Sequence, residues 1–249
     1  MSASNPAPAG MPSPVSGNAP GVTEAAREVL AAQPITSLDY LVTLQDGRMS
    51  KETFIRTQQQ FFHAVRFFSR PIAALVSRCP DSTMRMNLVH NLAEEQGDFV
   101  AAQAHDQTFK AFLQSLGAFP VAVEGPAVRA FNYSLLGTAL GAEMEVAFGC
   151  LGLIEFAFAD VAALIGRAVV NRGWVASGNL THYRLHAEID RRHAEEFFRV
   201  IEPAWNDESK SQPLIREGLA LGHYAFARLY SDLGGNVFQH EHIPSASPA

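Results

Sequence analysis

The stretch that decides the fold is Leu185-His186-Ala187-Glu188-Ile189-Asp190-Arg191-Arg192-His193-Ala194-Glu195-Glu196-Phe197-Phe198. An α-helix advances about 100° per residue, so His186, Asp190 and His193 project from one face. Apolar side chains flank that face, at Leu185, Ile189 and Phe197. Four charged side chains fall on the remaining sides and suit solvent or support of the ligands from behind: Arg191, Arg192, Glu195 and Glu196. Two imidazoles and a carboxylate in an apolar setting are costly unless something binds them, so the pattern predicts a metal site.

The rest of the chain divides into one domain and two tails. Five prolines among Ser, Ala, Asn and Gly predict a disordered tail over residues 1–21. Helical periodicity then dominates to the end of the domain, and strand signals are nearly absent. The sequence therefore predicts an all-α, single-domain bundle over residues 22–235, followed by a flexible C-terminal tail over 236–249. The expected helical segments are 22–32, 35–44, 50–78, 81–116, 127–141, 143–171, 180–205 and 213–233. The architecture that they support is a bundle of about seven helices around one core.

Composition excludes several classes of protein. The net charge is −6 and no basic patch stands out, so no nucleic-acid partner is expected. The two cysteines form no CxxC motif, which indicates a reducing, cytoplasmic location. The apolar span from Val146 to Val170 contains Glu155, Asp160 and Arg167, so we interpret it as the buried central helix of a bundle and expect no membrane association.

Three further residues could complete a metal site. Glu155 is a lone carboxylate within a strongly apolar run, where an unpaired charge needs a cation. Glu95 and His105 lie ten residues apart and could face one cleft if the chain bends near Gly97. Spacing alone leaves Glu94 and Asp98 as rivals of Glu95, and Glu143 and Glu145 as rivals of Glu155. Histidines and carboxylates without cysteine are typical of a di-iron or di-manganese centre in a helical bundle.

These motifs resemble the haem-oxygenase-like diiron oxidases and oxygenases. The resemblance covers roughly residues 35–230. It depends on Asn91-Leu92-x-Glu94-Glu95-x-Gly97, His105-x-x-x-Phe109, Leu116-Gly117, Leu151-Gly152-x-x-Glu155 and His186-x-x-x-Asp190-x-x-His193-Ala194-Glu195. It implies a seven-helix haem-oxygenase-like bundle whose two Fe(II) ions are held by Glu95, His105, Glu155, His186, Asp190 and His193. Some members add a carboxylate ligand on the helix that spans 50–78 here, where this chain offers only Glu52.

The resemblance also implies an enzyme with dioxygen as co-substrate, and Glu95 and Glu155 are its predicted catalytic carboxylates. Known reactions of the family include N-oxygenation, oxidative C–C cleavage and decarboxylation. We therefore expect a small amine- or carboxylate-bearing metabolite as substrate. Arg66 and Arg70 are candidates to bind a substrate carboxylate. A homodimer is compatible with the sequence.

Two alternatives stay open. One is a cofactor-independent enzyme similar to pyrroloquinoline-quinone synthase or thiaminase-type proteins, in which the His and Glu residues perform acid–base work. The other is a non-catalytic helical module that binds a small ligand or a protein partner. The histidines outside the proposed site are expected to be structural or solvated, namely His63, His90, His182, His223, His240 and His242.

Overall fold

The computed structural model describes residues 21–206 and 210–235, and every regular element within them is helical. The all-α prediction is therefore confirmed for this part of the chain. The helices are α1 (Val22–Ala32), α2 (Asp39–Gln45), α3 (Lys51–Arg78), α4 (Ser82–Glu95), α5 (His105–Ser115), α6 (Pro126–Gly141), α7 (Met144–Asn171), α8 (Thr181–Trp205) and α9 (Ser211–Gly234). The predicted tails, apart from Gly21, lie outside the described residues.

The expectation of seven helices is wrong, because the described residues form nine. The largest difference is the predicted 81–116 helix, which is divided into α4 and α5. Gly97, Asp98 and Phe99 all have positive φ angles, of 67°, 50° and 67°. These left-handed conformations end the helix, and at Gly97 a Cβ would collide with the backbone of Ala104. The chain therefore folds back between Glu95 and His105.

Helix α7 is the core of the bundle. It is buried along nearly its whole length and packs mainly against α8 and α9. Gly218 and Gly222 of α9 allow this approach, because a Cβ at either position would collide with a backbone carbonyl of α7. Among the described residues α7 is the one helix long and apolar enough to span a membrane, but 89% of its apolar window is buried in the protein. That burial is typical of the core helix of a soluble protein.

A second group of helices packs around α3, which contacts α4, α5 and α6. Side chains cap the N-termini of α3 and α4. Ser50 Oγ accepts a hydrogen bond from the Thr53 backbone N–H at 3.0 Å, and Asp81 Oδ1 accepts one from the Met84 N–H at 2.8 Å. Both α4 and α5 also contact α8, so the junction between α4 and α5 lies against the helix with the histidine motif.

Candidate metal centre

The inward face of α8 carries the three residues that the sequence placed there. His186, Asp190 and His193 are all buried, and His193 and Asp190 have no exposed surface. His186 Nδ1 lies 2.8 Å from Asp190 Oδ1, and His193 Nδ1 lies 3.9 Å from the same oxygen. One turn of helix therefore brings two imidazoles to one carboxylate, as the four- and three-residue spacings require.

Two other parts of the fold bring the remaining predicted ligands to this face. Glu155 extends from the middle of α7, and its Oε1 lies 3.9 Å from His193 Nδ1. Glu95 is the last residue of α4 and His105 the first residue of α5, so the fold-back between these helices brings the two together. Glu95 Oε1 lies 3.0 Å from His105 Nδ1. Donor atoms of Glu95, Glu155 and His193 all lie within 4.8 Å of one another.

These six side chains make fewer hydrogen bonds than their buried polar atoms allow. Each has one buried nitrogen or oxygen without a hydrogen-bond partner outside this group. The atoms are Glu95 Oε1, His105 Nδ1, Glu155 Oε1, His186 Nε2, Asp190 Oδ2 and His193 Nδ1. Glu95 Oε1 and His105 Nδ1 face each other, and the other four have no partner. A buried polar atom without a partner is costly, and four such atoms in one cluster are hard to maintain unless a common partner satisfies them. Carboxylate oxygens and imidazole nitrogens are ligands of iron, so the donor set fits a metal centre.

The charges of the cluster also favour a cation. Burial raises the pKa of Glu155 well above its usual value, and the carboxylates of Asp190 and Glu95 raise it further. Burial also raises the pKa of Glu95, but the positive charges of His105, His186 and His193 outweigh this effect and lower the pKa to about 2. The carboxylates therefore compete for the available positive charge, and a metal cation would relieve that competition.

The structure does not bring most of the rival residues to the site. Asp98 is exposed in the loop between α4 and α5, and Glu143 is exposed before the first residue of α7. Glu145 accepts a hydrogen bond from Ser211 Oγ at 3.1 Å. Glu52 is exposed at the start of α3. Glu94 does contact the site, since its Oε2 lies 2.9 Å from His193 Nε2.

Sequence reasoning missed two buried residues of α8. His182, expected to be structural or solvated, is fully buried, with its ring centroid 4.3 Å from that of His186. Its Nδ1 lies 3.2 Å from Thr108 Oγ1, while its Nε2 has no partner. Burial, followed by the charges of His186 and His105, lowers the pKa of His182 well below its usual value. Glu196, expected either in solvent or behind the ligands, is also buried. Both residues lie one turn from a motif histidine, which is the signal that could have identified them.

Two cavities meet at Glu95. The first, of about 50 Å³, contains Glu95, Glu155 and His186 and has otherwise apolar walls, formed by Phe61, Ala64, Val65, Phe68, Phe131, Ile154, Phe158 and Phe226. The second, of about 200 Å³, is polar and lined by Val65, Arg66, Ser69, Glu95, Gln96, His105 and Asp106. Of the two candidate anchors for a carboxylate, Arg66 therefore lines a cavity at the site. The guanidinium of Arg70 lies over the ring of Phe67 at 5.0 Å.

Metal sites of helical bundles are built from inward-facing histidines and carboxylates on facing helices. The three histidines and three carboxylates described above have this arrangement. The model of a protein family described as iron-containing redox enzymes matches residues 56–246. The chain therefore belongs to this haem-oxygenase-like family, as the sequence motifs predicted. A curated relative, named 4-aminobenzoate synthase, comes from Chlamydia trachomatis serovar D. It is 22% identical over 200 residues, which are 78% of this chain and 85% of the relative.

Solved structures at low sequence identity share the fold. A CADD-like protein of unknown function from Nostoc punctiforme has a TM-score of 0.71 at 15% identity, over 85% of this chain and 95% of that one. A TenA homologue from P. horikoshii has a TM-score of 0.66 at 13% identity, over 86% and 98%. A domain from Shewanella denitrificans, described as having a haem-oxygenase-like fold, has a TM-score of 0.59 at 16% identity, over 85% and 88%. The haem-oxygenase-like architecture is thus confirmed.

Proposed function

We propose that this protein is a non-haem di-iron, dioxygen-dependent oxidase or oxygenase. One observation carries the proposal: all six predicted ligands are buried together, and each has one nitrogen or oxygen without a hydrogen-bond partner outside the cluster. Three carboxylates against two Fe(II) ions leave a small net positive charge, so the donor set balances most of the charge of the metal centre. Membership in a family of iron-containing redox enzymes supports the same assignment.

The protein's own groups would orient the ligands and exclude water. Asp190 Oδ1 accepts a hydrogen bond from His186 Nδ1–H, which fixes the ring and leaves Nε2 free. Glu155, whose raised pKa favours the protonated form in the metal-free protein, would give up its proton when a cation binds. The apolar walls of the smaller cavity keep water away from the reacting atoms. Iron bound here would supply the capture and activation of dioxygen.

We further propose a small substrate that carries an amine or a carboxylate. The apolar cavity offers no polar group except Glu95, Glu155 and His186, so it suits the apolar part of such a molecule. The polar cavity, which Glu95 also lines, offers Arg66 for a carboxylate. The name of the Chlamydia relative, 4-aminobenzoate synthase, supports this class, because 4-aminobenzoate carries both groups. N-oxygenation, oxidative C–C cleavage and decarboxylation are the candidate reactions.

Metal content and dioxygen consumption test the proposal. Protein purified without oxygen and titrated with Fe(II) should bind about two irons per chain, as in di-iron bundles. Replacing His186, Asp190 or His193 by alanine should lower that number. A matched control is His223→Ala, because His223 Nε2 contacts the Gln33 carbonyl at 2.7 Å and His223 lines neither of the two cavities at the site. Unchanged iron binding in all three ligand variants would refute the assignment.

Turnover tests the substrate class. Amines and carboxylates should be screened for those that accelerate dioxygen uptake by the iron-loaded protein. For a carboxylate substrate, Arg66→Gln should raise KM, whereas Arg70→Gln, one turn along α3, should not. An iron-loaded protein that never consumes dioxygen with any compound of these classes would contradict the oxygenase assignment.

A cofactor-independent enzyme is the second candidate, and the TenA homologue with TM-score 0.66 favours it. In that case Glu155, protonated in the metal-free protein, would act as a general acid. Turnover without bound metal would support this candidate. A protein that neither binds metal nor turns over a substrate would instead be a binding module.

A further inference from the structure

We propose that Glu94 is a positioning residue, which holds the ring of His193 so that Nδ1, and not Nε2, faces the metal. The inference rests on the proposed function, because it concerns the way in which one ligand of that centre is oriented. It gives Glu94 a role different from that of its neighbour Glu95, although sequence spacing left the two interchangeable.

The two nitrogens of His193 have different surroundings. Nδ1 has no hydrogen-bond partner and lies 3.9 Å from both Glu155 Oε1 and Asp190 Oδ1. Nε2, on the other side of the ring, lies 2.9 Å from Glu94 Oε2. An ionised carboxylate can only accept a hydrogen bond, so Nε2 carries the hydrogen and, in the neutral ring, Nδ1 keeps its lone pair. That lone pair points to the side on which the other ligands lie.

The carboxylate of Glu94 is itself held in place. Arg192 Nη2 donates to Glu94 Oε1 at 2.6 Å, and Arg192 Nη1 donates to Glu196 Oε1 at 3.3 Å. Arg192 therefore bridges Glu94 on α4 and Glu196 on its own helix. Glu94 Oε2 contacts His193, whose ring is fully buried, at 2.9 Å, and the exposed His90 Nδ1 lies farther from the same oxygen, at 3.4 Å. A charge-assisted contact with a fixed acceptor restricts rotation of the imidazole.

The position of Glu94 on α4 explains why it faces this way. Consecutive helical residues differ by about 100° in direction, so Glu94 and Glu95 cannot extend from the same side. Glu95 extends toward His105, with a 3.0 Å contact, and Glu94 toward the outer side of His193. His186 has an equivalent arrangement, since Asp190 contacts its Nδ1 and leaves Nε2 free. The two proposed ligand histidines of α8, His186 and His193, would thus present opposite nitrogens to the metal.

A hydrogen bond from the outer N–H of a ligating histidine to a carboxylate fixes the tautomer of the ring and strengthens it as a ligand. Loss of such a partner typically lowers metal affinity about 10- to 100-fold. A ligand that is lost should instead remove a metal ion from the centre. Affinity and stoichiometry therefore separate a positioning role for Glu94 from a ligand role.

The experiment compares wild type, Glu94→Leu and Glu94→Gln in the full-length protein. Co(II) is the probe, because it binds the same ligand types and its visible absorption reports the coordination geometry. Glu94→Leu should bind as many cobalt ions as wild type, about 10- to 100-fold more weakly. Glu94→Gln keeps an oxygen that can accept from Nε2–H, so its affinity should lie between the two. Glu195→Gln is the matched control, since Glu195 is exposed on α8 and pairs with Arg199 at 3.6 Å.

Nitrogen NMR of the histidines in the metal-free protein provides a second measurement. At about pH 8.5, well above the ordinary imidazole pKa, His193 should be protonated on Nε2, and this preference should weaken in Glu94→Leu. An Nδ1–H tautomer in wild type, unchanged cobalt affinity in Glu94→Leu, or loss of a cobalt ion in Glu94→Gln would each overturn the positioning role. A wild type that binds no Co(II) or Fe(II) would refute the proposed metal centre itself, which is a different failure.

Discussion

Replacing Glu155 with glutamine should make the metal-free protein more stable and the iron-loaded protein less stable. Burial raises the pKa of Glu155 well above its usual value, with further contributions from Asp190 and Glu95. In the pH range between 4.5 and that raised pKa, the unfolded chain has released a proton which the folded chain keeps. The stability of the metal-free protein therefore falls as pH rises through this range, and Glu155→Gln removes that loss.

The size of the effect has an upper limit. Neutral pH is about 2.5 units above the ordinary carboxyl pKa, and each unit corresponds to about 1.36 kcal/mol, so the cost of keeping the proton is at most about 3.4 kcal/mol. The amide of glutamine must also be buried, so we expect a net gain of about 1–2 kcal/mol. For a chain of this length that corresponds to an increase in Tm of about 2–8 °C.

Thermal unfolding with and without Fe(II), at about pH 5 and about pH 7, measures both the expected gain in stability without metal and the expected loss with iron. Wild type should gain about 2.7 kcal/mol at an iron concentration 100 times its Kd, and Glu155→Gln should gain much less. The difference between metal-free variants should shrink at the lower pH. Glu143→Gln is the matched control, because Glu143 is exposed just before α7. A lower Tm for metal-free Glu155→Gln, or equal stabilisation of both proteins by iron, would refute the reasoning.

Three other outcomes are expected. Glu95→Gln should destabilise the metal-free protein above about pH 4.5. His105, His186 and His193 lower the pKa of Glu95 to about 2, so its ionised form stabilises the fold in that pH range. Thermal unfolding of both proteins at several pH values measures the difference. Gly222→Ala should lower Tm by about 2–12 °C through a backbone collision with α7, whereas Gly137→Ala, which meets no atom within 4 Å, should not lower it. Deletion of residues 2–20 should leave Tm and iron content unchanged, and a large loss of either would contradict a disordered tail.

The sequence by itself determined the helical class and the inward face of α8. Helical periodicity is a local property, so the spacing of His186, Asp190 and His193 sufficed to place three donors on one face. The caps at Ser50 and Asp81 were equally readable, because a capping side chain bonds to a backbone N–H within its own first turn. Glu155 was identified for a related reason, since a single carboxylate in an apolar helix has few harmless explanations.

The tertiary structure decided which neighbouring residues meet across helices. The break between α4 and α5 depends on left-handed backbone at Gly97, Asp98 and Phe99, and the two non-glycine positions carry little local signal for it. That break moves Asp98 to the surface and brings Glu95 to His105.

The different environments of Glu94 and Glu95, and the burial of His182 and Glu196, likewise depend on contacts between segments about 70–100 residues apart. Glu94 reaches His193 across 99 positions, and His182 reaches Thr108 across 74. Periodicity gives the direction of a side chain relative to its own helix axis, but the neighbour that it meets is set by how the helices pack. The sequence therefore determined which faces point inward, and only the packing of α4, α5, α7 and α8 determined which donor atoms are left to share a metal ion.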